Sequence, residues 1–459
     1  MKHSFVHLSD IHFGQEKNGS VVIHEDVRRE LISDVTAMAK KRGPASRVLV
    51  TGDIAYSGTR AQYETAAPWL EELTKAAQCD PQEVSCIPGN HDCDLSVLTN
   101  QAKLTYEHLR GLQRTEATTK FHAIVEDGEI GSPFLPKLTA YRAFANGFGC
   151  EFESAKRPAW TRMFELPNGV KLRFHGLTSV QVSNLDDDAN SLFLGNRQYT
   201  ISEDPNVINI VLCHHPLDWF VDEDDAKPYF KTRARVLMFG HEHKANAEVI
   251  SDAFARTETL VLSAAATNPP DADYDYAYNW IEFSRLQDAV KCYLAVDIFP
   301  RVWVRNRVKF DVDRSLLPGG GESVRVRVQC PNVEFILPAE EHAKTGTIAA
   351  APAANVGAPP TGAMTTAEQG GLPMDAKSAD FDKLRYIFWR YLNWQQRLEV
   401  LVKAKALPDT ADEPIPQTME RKALEQAAAS PGKLHDIWDA VMQLVPPEKR
   451  QDNPFKSNL

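Results

Sequence analysis

The sequence is short of several things, and each shortage excludes a class of protein. Its seven cysteines (79, 86, 93, 150, 213, 292 and 330) form no CxxC pair and are odd in number. That argues against a zinc ribbon and a disulfide framework and favours reduced thiols in a cytoplasmic protein. No apolar run approaches the roughly 18 residues of a membrane span, and the opening MKHSFVHLSD lacks the apolar core of a secretory signal. Positive charge is not in excess: 51 Lys and Arg against 62 Asp and Glu leave a net charge of −11. Such an average surface repels phosphate backbones and argues against a protein that coats nucleic acid, although a metal site reverses the field locally. No internal repeat is visible at solenoid periods. What remains is an ordinary globular composition, 43% hydrophobic and 25% charged over 459 residues. At about 150 residues per domain, two or three domains are expected.

The clearest boundary runs from Ala343 to Asp375, where 9 Ala, 5 Gly, 4 Pro and 5 Thr fill 23 of 33 positions. Such a stretch builds no core and reads as a flexible linker, placed at 343–377. It separates a unit at 1–342 from a tail at 378–459. The tail carries 12 basic and 12 acidic residues, so the net negative charge lies before it. In the tail, Phe381, Leu384, Ile387, Phe388, Tyr391, Leu392, Trp394, Leu398 and Leu401 predict one amphipathic helix of about 20 residues. Helices are also predicted near 417–428 and from Pro431 through Leu444.

In the larger unit, short apolar strands end repeatedly in polar clusters. Phe5–Leu8 runs into Ser9-Asp10, Arg47–Val50 into Thr51-Gly52-Asp53, and Val84–Ile87 into Pro88-Gly89-Asn90-His91-Asp92. Further on, Val207–Cys213 runs into His214-His215-Pro216, and Val236–Phe239 into Gly240-His241-Glu242-His243. Helical spacing at 25–41 and 63–77 alternates with these strands, the pattern of an α/β domain whose ligands collect at the carboxyl ends of strands. Residues 95–165 interrupt the rhythm with helices expected at 95–112 and 138–148. Rooted just after His91, they read as a helical, cap-like insertion. Alternation at 290–338 predicts a β extension.

Five strand ends thus supply Asp10, His12, Asp53, Asn90, His91, His214, His241 and His243. An isolated Asp-x-His is usually a cap or a surface pair. The ordered set DxH, GD, GNHD, H and GHxH, each after an apolar strand, is not a chance assembly. Carboxylate, imidazole and amide oxygen are borderline-hard donors suited to Mn, Fe, Zn or Co. Seven of them are too many for one ion and suit two ions that share a carboxylate. Two such ions clamp the attacking and leaving oxygens of an in-line displacement at phosphorus and generate hydroxide near neutral pH. His91, beside the candidate ligand Asn90, is free to act as an acid on the leaving oxygen, and Asp92 is expected to orient its imidazole.

The set Asp10-Ile11-His12-Phe13-Gly14, Gly52-Asp53, Gly89-Asn90-His91-Asp92, His214 and Gly240-His241-Glu242-His243 resembles the calcineurin-like metallophosphoesterases. The resemblance covers residues 1 to about 285 outside the insertion. It implies an α/β fold, a four-layer αββα sandwich of two mixed sheets with helices outside, with the tail as a small all-α domain. It also implies that Asp10, His12 and His243 hold one metal, that Asn90, His214 and His241 hold the other, and that Asp53 bridges them. His91 would contact the scissile phosphate and protonate the leaving group. Mn2+ is the expected metal, with Fe, Zn, Co, Ni or Mg as alternatives. His214, directly off its strand, is taken as the ligand and His215 as a neighbour or substrate-facing group. Tyr56 stands where many members carry an acid. The stretches Phe174–Ser179, Leu194–Gln198 and His214-His215-Pro216 resemble the cyclic-nucleotide phosphodiesterase branch.

The tail resembles, by architecture alone, the death-like or effector-associated adaptors of bacterial conflict systems, which implies a protein partner for 378–459; a tail that folds back for oligomerisation or stability is the other reading. The expected substrate is a phosphodiester, either a cyclic nucleotide or a nucleic-acid strand. A phosphomonoesterase or protein phosphatase uses the same metals, and a catalytically silent metal-binding scaffold is the reading from another class.

Overall fold

A computed structural model describes residues 2–16, 21–127, 133–184, 187–252, 256–269, 275–288, 290–317, 319–334, 376–408 and 415–455. Of the expected linker at 343–377, only positions 376 and 377 lie within that set, and there they begin a helix.

Two mixed sheets form the core. The first comprises β1 (Lys2–Leu8), β2 (Arg47–Val50), β3 (Val84–Cys86), β10 (Ala277–Gln287), β11 (Cys292–Val304), β12 (Lys309–Val312) and β13 (Val324–Gln329). Its order is β12-β11-β10-β1-β2-β3, with β13 also paired to β11. The second comprises β4 (Trp160–Glu165), β5 (Lys171–Gly176), β6 (Val207–Leu212), β7 (Ala234–Phe239), β8 (Asn246–Asp252) and β9 (Thr257–Ser263), ordered β4-β5-β6-β7-β9-β8. The central strands β1–β3 and β5–β7 run parallel within their sheets. Of these, β2, β6 and β7 are buried along their whole length and read as nearly continuous apolar runs. The sheets meet face to face: Phe5 of β1 lies 5.4 Å from Phe164 of β4 and 5.2 Å from Phe174 of β5 between ring centroids.

Helices complete the four layers. α1 (Val21–Arg42) buries Val27, Leu31, Val35 and Met38 at helical spacing beside α2 (Arg60–Ala76). Asp34 of α1 accepts from Tyr278 and from both guanidinium arms of Arg301, which ties this layer to β10 and β11. On the outer face of the second sheet, α3 (Asn100–Gly111), α4 (Arg114–Glu126) and α7 (Glu223–Arg233) bury Tyr106, Leu109, Phe121 and Phe230. These pack in one cluster with Val211, Cys213, Leu237 and Phe239 of the sheet side. α5 (Thr139–Gly147) packs on α2, and the short α6 (Asn196–Tyr199) lies against α7.

Several expectations need revision. α3 and α4 form a layer on the second sheet, and the end of the expected 95–165 insertion is β4, an edge strand of that sheet. α4 lies between the helices expected at 95–112 and 138–148, where no element was expected. The β structure expected at 290–338 is present: β11 to β13 extend the first sheet from β10. The long tail helix is two, α8 (Ala376–Tyr391) and α9 (Trp394–Lys403). Asn393 caps the second: its side chain accepts from the Gln396 amide at 3.0 Å, and Gln396 returns a bond to the Asn393 amide. That reciprocal bonding competes with helix continuation. α10 (Gln417–Ala428) and α11 (Pro431–Leu444) follow as predicted.

The tail folds back on the larger unit. Tyr386 of α8 rests 5.5 Å from Phe148 at the end of α5, and Leu384, Ile387, Phe388 and Trp389 are buried. Glu71 of α2 receives four donors from the tail: Tyr386 (2.7 Å), Arg390 (3.1 Å), Tyr391 (3.2 Å) and Lys449 (3.2 Å). All seven cysteines are free. Among the described residues, no helix is long and apolar enough to cross a membrane.

Candidate metal centre

The five strand ends converge because their loops bond to one another. The amides of Ile11 and His12 donate to the Asp53 carbonyl at 2.8 and 3.0 Å, and that of Asn268 donates to the Asp10 carbonyl at 2.9 Å. The loops approach so closely that a side chain at two motif glycines would collide with backbone. A Cβ on Gly89 would lie 2.7 Å from the Asp53 nitrogen, and one on Gly240 would lie 2.7 Å from the Thr51 carbonyl oxygen.

Convergence also strains the chain. Asp10, His12, Asp53, His241 and His243 have φ of 54°, 51°, 55°, 68° and 58°. This left-handed region costs a non-glycine residue about 1 kcal/mol or more. A fold holds five such residues at one place when their side chains must meet there.

The side chains do meet. Asp53 Oδ2 lies 3.2 Å from His12 Nε2 and 3.4 Å from His214 Nε2, while its Oδ1 accepts the His91 amide at 2.8 Å. A single carboxylate oxygen therefore faces a histidine nitrogen from each of two other loops. Asp10 Oδ1 lies 3.2 Å from His243 Nε2, and Asn90 Oδ1 lies 3.1 Å from His214 Nε2. Ligand atoms fall within 4.8 Å of one another in four groups: Asp10, His12 and His243; Asp10, Asp53 and His214; His12, Asp53 and His91; and His214, His215 and His241. The donors are oxygen and imidazole without thiolate, a set that fits borderline-hard divalent ions.

Main-chain carbonyls fix the imidazoles. His12 Nδ1 lies 3.2 Å from the Asn268 carbonyl, His214 Nδ1 is 2.8 Å from that of Thr51, and His91 Nδ1 is 2.9 Å from that of Tyr56. A carbonyl only accepts, so each Nδ1 carries a hydrogen and each Nε2 is the nitrogen turned to the cluster. Burial alone would raise the Asp53 carboxyl, but His214 and His12 hold it well below the usual carboxylate range. Burial opposes charge on His214, and Asp53 overcomes it, lifting that imidazole to about 9. Burial, with His214 adding to it, lowers His241 to about 4.

The role expected of Asp92 needs correction. Its carboxylate accepts from the amides of Ile54 (3.2 Å), Ala55 (2.9 Å) and Gly89 (3.0 Å) and from the Tyr63 hydroxyl (2.8 Å). It therefore clamps the Asp53 loop to the Asn90 loop, and the Tyr56 carbonyl orients His91 in its place. The Tyr56 ring also stacks on His91, 4.9 Å between centroids at 18°. Sequence reasoning missed Asn268, Ser179 and Trp219. Asn268 follows β9 as the other polar clusters follow their strands, so the same strand-end reading would have found it. Trp219 packs 4.3 Å from His241, and Ser179 bonds to His215. Trp219 has no sequence signature, whereas Ser179 closes the Phe174–Ser179 stretch already singled out, where no role was assigned to it.

The family profile described as calcineurin-like phosphoesterase matches residues 3–245, and that of the GTPase-associated adaptor domain matches residues 380–443. No curated protein shows significant similarity to the chain. Among solved structures, a single mutant of Vps29 from Entamoeba histolytica is similar at 11% identity and TM-score 0.27, covering 71% of this chain and 99% of its own. The sulfate thiohydrolase SoxB from Thermus thermophilus is 13% identical with TM-score 0.33, covering 68% and 58%. The purple acid phosphatase PPD1 from yellow lupin is 12% identical with TM-score 0.37, covering 66% and 52%.

Proposed function

Because the chain belongs to the calcineurin-like phosphoesterase family, we propose that it hydrolyses phosphodiester bonds of a cyclic nucleotide or a nucleic-acid strand at a dinuclear metal centre. The observation that carries this reading is the Asp53 carboxylate, with one oxygen facing both His12 and His214 and the other on the His91 amide. Asp10, His12 and His243 would hold one ion, and Asn90, His214 and His241 the other, with Asp53 shared. When bound, such a pair supplies Lewis-acid charge to a phosphoryl group and acidifies a water molecule.

His91 is the proton donor. Its Nδ1–H is held by the Tyr56 carbonyl and its ring by the Tyr56 side chain, so Nε2 is the nitrogen left for a leaving-group oxygen. Asp92 supports this from the loop clamp described above. The choice of diesters rests on the segments at 174–179, 194–198 and 214–216, which resemble the cyclic-nucleotide branch. We divide the chain into a phosphoesterase domain at 1–342, a linker at 343–377 and an adaptor at 378–459 that recruits a protein partner, in the manner of a conflict-system effector.

The test is a hydrolysis panel with added Mn2+: cyclic AMP, cyclic GMP, DNA, RNA, bis(p-nitrophenyl) phosphate and p-nitrophenyl phosphate. Diester cleavage is expected, falling at least 100-fold in H91A with metal content unchanged. Cleavage of the monoester alone would replace this reading with a phosphomonoesterase. No cleavage by a fully metallated chain would leave the silent scaffold.

A further inference from the structure

The second histidine after β6 has no task in the reading above. His215 is fully buried, its Nδ1 lies 2.8 Å from Ser179 Oγ, and its Nε2 meets no hydrogen-bond partner. Buried polar atoms are rarely left without a partner, and an orphaned one in a polar cluster marks the place of a missing one.

Its surroundings indicate what is missing. Three imidazoles converge here: His214 and His215 lie 4.8 Å apart between centroids, His215 and His241 4.3 Å, and His214 and His241 5.3 Å. Their planes cross at 87°, 50° and 74°, so no pair is stacked, and one ligand atom from each falls within 4.8 Å of the others. The His215 ring is held on two sides. Trp219 packs 5.2 Å from it, and Ser179 fixes Nδ1. A serine oxygen accepts as readily as it donates, so it can take the Nδ1 hydrogen. Nε2 then presents a lone pair toward His214 and His241.

We propose that His215 is a further ligand of the second metal through Nε2, with Ser179 as its positioning residue. This rests on the dinuclear centre proposed above. The second ion then takes three imidazole nitrogens with Asn90 and the shared Asp53. The first takes two imidazoles and two carboxylates, from His12, His243, Asp10 and Asp53. A nitrogen-rich set favours zinc, cobalt or nickel, and a carboxylate-rich set is more hospitable to manganese. The two positions therefore differ in metal preference.

Metal-free full-length protein titrated with Co2+, followed by visible absorption and calorimetry, tests this. Wild type is expected to bind two Co2+ per chain. H215N should still bind two, one at least tenfold more weakly and with altered d–d bands. Its preference for Zn2+ over Mn2+ at that position should fall at least tenfold. S179A should shift the same bands and affinity in the same direction by less, and it carries the test if H215N does not fold. Unchanged spectra and affinities in folded H215N or, if H215N does not fold, in S179A would overturn the proposal. A wild-type chain that takes up fewer than two Co2+ would instead overturn the dinuclear reading on which it rests.

Discussion

At Gly89 the space for a side chain is already taken by Asp53. A Cβ there would lie 2.7 Å from the Asp53 nitrogen and closer still to its carboxylate. Gly89→Ala is therefore expected to fold but to push the bridging carboxylate aside, weakening metal binding at least tenfold, or about 1.4 kcal/mol. Calorimetric titration with Mn2+ checks it, and wild-type affinity would contradict it. A second prediction concerns Lys137, fully buried against the Ser183 carbonyl and the Tyr106 ring. Burial lowers this amine to about 8. The unfolded chain holds the proton up to about 10.5, so between those values the native state binds fewer protons and stability rises with pH. Below pH 8 the full cost of about 3 kcal/mol is carried. Lys137→Met removes this dependence: its stability advantage over wild type should shrink as pH rises from 8 to 10, as read by urea melts. A constant difference would contradict it. The eight candidate metal-site and catalytic residues were legible because each is a distinctive residue type at a strand end. The carbonyls of Thr51, Tyr56 and Asn268 were not, since every residue carries one and only the fold selects which is used. Asp92 misled for a related reason: adjacency to His91 in sequence said nothing of its direction.

Among the elements, β2, β6 and β7 could be read because burial on both faces makes them nearly continuous apolar runs, and β1 and β3 because a short apolar stretch ends in a polar cluster. α10 and α11 were equally plain from their apolar spacing. The break between α8 and α9 was hidden because the apolar stripe continues across it while Asn393 and Gln396 divert the backbone. α4 was missed because its helical stretch lies between turn-forming residues. Docking of α8 depends on Glu71, a residue that looks like any exposed acid of an amphipathic helix. Its carboxyl is held below its ordinary range: burial would raise it, and the bonds from Tyr386 and Lys449 outweigh that. Glu71→Ala should leave those donors without an acceptor and loosen the tail. Amide hydrogen exchange in α8 is expected to rise tenfold or more, about 1.4 kcal/mol of local stability. Unchanged exchange would show that apolar contacts with α5 suffice.

For the whole molecule, the family resemblance carried by the strand-end motifs implied the two-sheet sandwich, and the sheets place the ends of β1, β2, β3, β6 and β7 around one cluster. The position of the tail was not predictable, because a linker composition says only that two parts are joined. What lies on either side of Asp53 decides the account as a whole. Metal content and diester hydrolysis should be measured together on wild type and Asp53→Asn, using Mn2+ and bis(p-nitrophenyl) phosphate. The account predicts two ions per wild-type chain with hydrolysis, and in Asp53→Asn the loss of at least one ion with a rate at least 100-fold lower. Wild-type stoichiometry and rate in Asp53→Asn would contradict it.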